Sequence, residues 1–186
     1  MQKGSFMQAT RPITAPANTD PDQLKIKRIC FVCTGNTCRS PMAAAVANAM
    51  AQEQIARLPS SIRDLATPEW LAFSAGLFAK EGDPIAPNAI HALEEAEISV
   101  TEGLDYHNHT AHTLTDDEAD KFDLLIGLTR EHAIGLMIRF PHLAQKITFF
   151  PQDISDPYGG SPALYRSCLE QIRLGVASLL PIGEPS

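Results

Sequence analysis

One nine-residue stretch carries the side chains best suited to covalent chemistry: Cys33-Thr34-Gly35-Asn36-Thr37-Cys38-Arg39-Ser40-Pro41, directly after the apolar run Ile29-Cys30-Phe31-Val32. A thiol, a glycine-containing turn and an arginine fall where a strand hands over to a helix. The first N–H groups of a helix have no partner within it, and its dipole adds about half a positive charge there. A cysteine held against such donors and a nearby guanidinium is stabilised as thiolate and becomes a nucleophile near neutral pH. The expected chemistry is therefore attack by Cys33 on an anionic, phosphate-like group.

A second segment, Asp156-Pro157-Tyr158-Gly159-Gly160, supplies what the first lacks. A leaving group needs a proton as its bond to phosphorus breaks, and a carboxyl on a positioned loop can provide it. Proline after Asp156 and the glycine pair beyond it hold that carboxyl out over a pocket. Tyr158 can stand as a wall for a planar leaving group.

These segments must be carried by a scaffold, and the apolar pattern describes one. Lys25 to Cys33, Trp70 to Ser74 (ending in Ala75-Gly76), Asp123 to Leu128 and Lys146 to Phe150 read as buried strands. Ser40 to Arg57, Pro87 to Glu97, Arg130 to Phe140 (stopped by Pro141) and Ser161 to Leu180 read as helices, three of them opened near a proline. Alternation of apolar strands and helices predicts a single α/β domain, a central four-stranded parallel sheet with helices on both faces. In such sheets ligands bind beyond the carboxyl ends of the strands. The loops after the first and fourth strands, which hold Cys33 and Asp156, meet that condition.

At 186 residues the chain is the length of one domain. Residues 1–24, with Pro12, Pro16 and Pro21 and no periodicity, are expected to be a disordered tail before a domain over 25–183. A net charge of -7 opposes general binding to nucleic acid or to a membrane surface, both polyanionic. No stretch approaches the ~18 apolar residues of a transmembrane helix, and the N-terminus lacks a signal peptide's apolar core, so a cytoplasmic location is expected. Four cysteines are too few for a disulfide scaffold.

Taken together, the Cys-x5-Arg-Ser loop and the later Asp-Pro-aromatic segment resemble the low-molecular-weight protein tyrosine phosphatase family, over about Ile26 to Leu180. The resemblance implies a phosphocysteine intermediate on Cys33, formed without a metal or other cofactor, on phosphorylated protein substrates. It implies that Arg39 grips the equatorial oxygens as a planar fork and that backbone N–H groups from Thr34 to Arg39 (Thr34, Gly35, Asn36, Thr37, Cys38) cradle the anion. Ser40 would donate its hydroxyl to the sulfur, and Asp156 would protonate the leaving group and then activate water. Asn36 matches the amide that braces the loop, with Ser74 and His109 matching the positions that hold it. Cys38 matches a thiol that captures oxidised Cys33 as a disulfide.

Within the family, the residue after the loop asparagine is usually aliphatic in tyrosine-directed members. Here it is Thr37, and Phe31 to Ala43 resembles the bacterial protein arginine phosphatases. A hydroxyl on that floor tolerates a polar guanidinium that an aliphatic branch excludes. Phe78 and Tyr158 would flank the planar group, with cation–π contact available. Phosphoarginine is the favoured substrate and phosphotyrosine the alternative. An arsenate or thiol–disulfide reductase on this scaffold, or a non-catalytic phospho-residue binder, ranks lower. The reductase needs further relay cysteines where only Cys168 remains, and a binder needs neither Cys33 nor Asp156.

Other candidates receive plainer readings. Cys30 and Cys33 mimic a Cys-x-x-Cys pair, but an extended strand points them to opposite faces. Cys168 reads as helix core. His107, His109 and His112 have no partners at recognised ligand spacings and read as a polar loop. Asp116-Asp117-Glu118 reads as acidic charge at a helix start.

Overall fold

The computed structural model describes residues 26–100 and 105–180. The expected tail over 1–24, and the ends of the expected domain at 25 and 181–183, lie outside the described residues. Four strands, β1 (Lys27–Cys33), β2 (Trp70–Gly76), β3 (Leu124–Gly127) and β4 (Ile147–Phe149), form one parallel sheet in the order β2-β1-β3-β4. The helices are α1 (Arg39–Ala56), α2 (Ser60–Arg63), α3 (Pro87–Glu95), α4 (Asp116–Ala119), α5 (Arg130–Arg139) and α6 (Pro162–Leu179). The α/β expectation holds, and the four strands and four long helices fall within about two residues of where the sequence put them. The exposed turn α2 and short 3-10 turns at Tyr106–Asn108 and Pro141–Lys146 went unread.

Strand β1 is the axis of the molecule. Its residues alternate between two cores, as a pleated strand requires. Ile29, Phe31 and Cys33 face the layer of α1, α3 and α6, with Met42, Leu93, Phe150 and Ile172. Cys30 and Val32 face the other layer, with Leu125, Ala133, Leu136 and Phe140. Cys30 and Cys33 are thus on opposite faces, and burial drives the Cys30 thiol far above the ordinary range for cysteine. Buried on both faces, β1 must be apolar throughout its interior, which is why it reads so clearly.

The chain leaves β1 toward β2 on one side and later returns to β3 on the other, so the carboxyl end of β1 is the switch point of the sheet. Close approach there needs two glycines. A Cβ on Gly76 would lie 2.8 Å from the Thr34 carbonyl oxygen, and one on Gly127 would lie 2.6 Å from the Ala133 nitrogen. The first lets the end of β2 lie against the loop after β1. The second lets α5 start hard against β3. Among the described residues no helix is long and apolar enough to cross a membrane.

Acidic charge at Asp116, Asp117 and Glu118 does sit in the first turn of α4, where Glu118 accepts the Thr115 N–H at 3.0 Å and its hydroxyl at 2.8 Å. This is the reciprocal half of a capping box.

Candidate active site

The loop from Cys33 to Arg39 is braced from beneath by one side chain. Asn36 is fully buried and sits at φ 56, a left-handed conformation that asparagine tolerates better than most residues. Its Nδ2 donates to Ser40 Oγ at 3.0 Å and to Ser74 Oγ at 3.0 Å, and its Oδ1 accepts the His112 N–H at 3.1 Å. The Asn36 carbonyl accepts from His109 Nε2 at 2.8 Å, so His109 carries its proton on that nitrogen. Burial lowers the His109 pKa, which keeps the ring neutral. Every polar group of Asn36 has a partner. Ser74 and His109 therefore both reach Asn36 from elements remote in sequence.

Cys33, at the end of β1, is 3% exposed. Its sulfur accepts the Asn36 N–H at 3.3 Å and lies 3.1 Å from Ser40 Oγ. Ser40 Oγ also lies 3.2 Å from the Ala75 carbonyl. Its single proton has two acceptors, and a thiolate is the stronger. The Ser40 side chain can thus follow the charge on sulfur without moving.

Arg39 is buried at 7% exposure, and its NH2 group meets Asp156 Oδ2 at 2.7 Å. Its NH1 group lies 3.4 Å from the Ile154 carbonyl. The other Asp156 oxygen accepts the Tyr158 N–H at 3.1 Å, which fixes the carboxylate on its loop. The loops after β1 and β4 thus meet, 117 residues apart in sequence, through Arg39 and Asp156.

Thr37 is held through its carbonyl, which accepts the Ala86 N–H at 2.8 Å just before α3. Cys38 is buried, with Sγ 3.3 Å from Tyr165 OH and 3.6 Å from Thr37 Oγ1. Burial raises the Cys38 thiol, and the bonds from Tyr165 and Thr37 oppose that. Cys168, one turn beyond Tyr165 in α6, is fully buried and its thiol is pushed up to about 12. Gly35 is partly exposed in the same loop, as is Thr37. Among the described residues Phe78 and Tyr158 are the exposed aromatics, at 79% and 77%. Phe78 is tied to the loop by its N–H, which donates to the Thr34 carbonyl at 2.9 Å.

His107 belongs elsewhere: it bonds Asp105 at 2.8 Å and Glu94 at 3.1 Å, and these raise its pKa. A cavity of about 810 Å3 opens along β2, and Ser74, His109 and His112 line it. Cys33, Arg39 and Asp156 do not.

Two residues near the loop escape sequence reasoning. His132, in the first turn of α5, lies 3.0 Å from Thr34 Oγ1 and 2.9 Å from Thr129 Oγ1. The usable signal was Gly127-Leu128-Thr129, which ends a third strand beside β1 with a helix cap. Tyr165 is the other, and nothing in its helical surroundings marks it.

The sequence profile described as "Low molecular weight phosphotyrosine protein phosphatase" matches residues 28–182. A Protein-arginine-phosphatase of Bacillus subtilis is 30% identical over 77% of this chain and 88% of its own length. A low molecular weight protein tyrosine phosphatase from T. tengcongensis has a crystal structure with TM-score 0.66 and 31% identity, covering 83% of this chain and 97% of that one. A third structure has TM-score 0.64 and 29% identity over 82% of this chain and 92% of its own. It is an arginine phosphatase carrying a cysteine-to-serine substitution, with a phosphorylated active-site serine.

Proposed function

Since the chain belongs to the low molecular weight phosphotyrosine protein phosphatase family, we propose that it hydrolyses phosphorylated proteins through a phosphocysteine on Cys33, with phosphoarginine the favoured substrate. The observation that carries the reading is the convergence of the Asn36 N–H and Ser40 Oγ on the Cys33 sulfur, with Arg39 and Asp156 paired beside it.

In the first step the Cys33 sulfur attacks phosphorus while Arg39 and the loop N–H groups hold the equatorial oxygens. The incoming dianion and Asp156 compete for the same guanidinium. Transfer of Arg39 to the phosphoryl oxygens frees the Asp156 carboxylate, which takes up a proton from solvent, faces the leaving atom and gives that proton to it as the bond to phosphorus breaks. In the second step the Asp156 carboxylate takes a proton from water as that water attacks the phosphocysteine. Ser40 donates to the departing sulfur.

Substrate choice is assigned to Thr37 on the floor and to Phe78 and Tyr158 at the rim. Phosphoarginine is a phosphoramidate, so its leaving nitrogen needs the Asp156 proton, and its guanidinium suits an aromatic wall. The similarity to the Bacillus subtilis protein supports this reading, and the similarity to the T. tengcongensis protein supports phosphotyrosine as the second. Cys38 is assigned the capture of oxidised Cys33, a cytoplasmic setting is assumed, and residues 25–183 are taken as the catalytic domain. The test is turnover of a phosphoarginine and a phosphotyrosine peptide side by side. Faster phosphoarginine hydrolysis, shifted toward phosphotyrosine by Thr37→Ile, is expected. A phosphotyrosine preference in the parent would overturn the substrate choice and leave the mechanism intact.

A further inference from the structure

His132 is a buried histidine with both ring nitrogens engaged, and no step above uses it. It is 6% exposed and belongs to α5, whose N-terminus is capped by Thr129 Oγ1 accepting the His132 N–H at 3.3 Å. Nδ1 lies 2.9 Å from the same Thr129 Oγ1, and Nε2 lies 3.0 Å from Thr34 Oγ1. Thr34 follows the nucleophile and is exposed at the mouth. Its carbonyl is already fixed by the Phe78 N–H, so the hydroxyl is the remaining freedom of that residue.

The ring is neutral near pH 7. Burial and then the Arg39 cation push its pKa down to about 4, against the weaker pull of Asp156 and Asp153. A neutral ring has one N–H and one lone pair, so two proton arrangements compete. If Nδ1 carries the proton, Thr129 Oγ1 receives two N–H groups, its own hydroxyl proton loses a partner in this chain, and Thr34 must donate inward to Nε2. If Nε2 carries it, each group is matched. Thr129 accepts the backbone N–H and donates to Nδ1, Nε2–H donates to Thr34 Oγ1, and the leftover proton is on Thr34 at the exposed mouth. The second arrangement partners every group and leaves its one spare proton on exposed Thr34, whereas the first leaves the hydroxyl proton of half-buried Thr129 without an acceptor among the described residues, so the second is the cheaper one.

We propose that His132 is a positioning residue that holds Thr34 Oγ1 as an acceptor, so that the Thr34 hydroxyl proton is turned outward as a donor to a phosphoryl oxygen. The loop then offers a side-chain donor beside Cys33 in addition to its backbone N–H groups and Arg39. The inference rests on the phosphatase reading, since it needs a phosphoryl dianion at the mouth.

The experiment has two arms. In the parent protein, nitrogen NMR of the His132 ring assigns the proton, with Nε2–H expected. The second arm measures the Kd of inorganic phosphate for the parent, Thr34→Val, His132→Leu, the double variant and His132→Gln. Loss of one hydrogen bond to a charged oxygen is expected to weaken phosphate about tenfold in each single variant. The double variant should be no weaker than either single, and His132→Gln, whose amide can still donate to Thr34, should lie closer to the parent than His132→Leu. A proton on Nδ1, parent-like binding by Thr34→Val, or losses that multiply in the double variant would each overturn the proposal. If His132→Leu does not fold, the tautomer and Thr34→Val decide. Neither arm requires turnover, so absent phosphopeptide hydrolysis would defeat the phosphatase reading separately.

Discussion

The floor and the rim of the site are built on opposite principles. On the floor, Asn36, Ser40 and Arg39 are buried, and the Asn36 amide is saturated by Ser40, Ser74 and the backbone of His112. At the rim, Phe78 and Tyr158 are more than three-quarters exposed, and Asp156 is about half exposed. A buried polar network stays put because each group it would strand costs roughly 1–3 kcal/mol. Exposed aromatics have no such constraint and can adapt to a partner. On the proposed reading the floor sets how the reaction is done, and the rim sets what enters.

The sharpest way to break this division is Asp156, exposed like the rim but assigned chemistry. Asp156→Asn should lower kcat by on the order of 10² to 10⁴, the usual worth of a general acid, with Tm nearly unchanged. Steady-state kinetics beside a melting curve checks this, and a loss confined to KM would move Asp156 into the recognition surface.

Next is Asn36→Ala, which strands the Ser40, Ser74 and His112 groups and places alanine at φ 56. Stability should fall by about 3 kcal/mol and kcat by on the order of 100-fold, since a small misplacement of reacting groups is that costly. Denaturant unfolding and kcat measured together test whether the floor couples structure to rate. Rim truncation should do neither. Phe78→Ala and Tyr158→Ala are expected to raise KM by about two- to fivefold each, with kcat and Tm preserved. A fall in Tm for either would erase the distinction between the regions.

The smallest effect concerns pH. His132 titrates near 6.5 when unfolded and at about 4 when folded. Between those values the unfolded chain holds the extra proton, so stability is intact above pH 6.5 and is lost as pH falls toward 4. His109, also lowered by burial, acts in the same direction, while the exposed His107, raised by Asp105 and Glu94, acts weakly in the opposite one. Melting curves from pH 7 to 5 should show Tm falling, and less steeply for His132→Gln.

The same division explains what could be read from the sequence. The chain from Ile29 to Pro41 is legible because strand, turn, nucleophile and helix start are contiguous, and each leaves a local signature. Asp156 is legible because proline and glycine flank it. Ser74 and His109 were assigned only through resemblance. His109 comes from a loop without periodicity, and no spacing in the chain says that it will meet the Asn36 carbonyl. His132 and Tyr165 were missed for a related reason. Both sit on helices whose patterns report only which face is buried, and their polar tips reach the loop through packing of α5 and α6 that has no sequence period. In the structure Thr129 and His132 form an ordinary helix cap, which by itself carries no mark of a contact with Thr34.

The central claim is a covalent phosphate on Cys33. The direct measurement is rapid quenching of Asp156→Asn during turnover of an aryl phosphate whose phenolate leaves without a proton from Asp156, followed by mass spectrometry of the intact protein and its peptides. With water activation impaired, phosphocysteine should accumulate on the peptide containing Cys33, and Cys33→Ser should show no turnover. Steady hydrolysis with no phosphorylated protein, or with phosphate on another residue, would contradict the account.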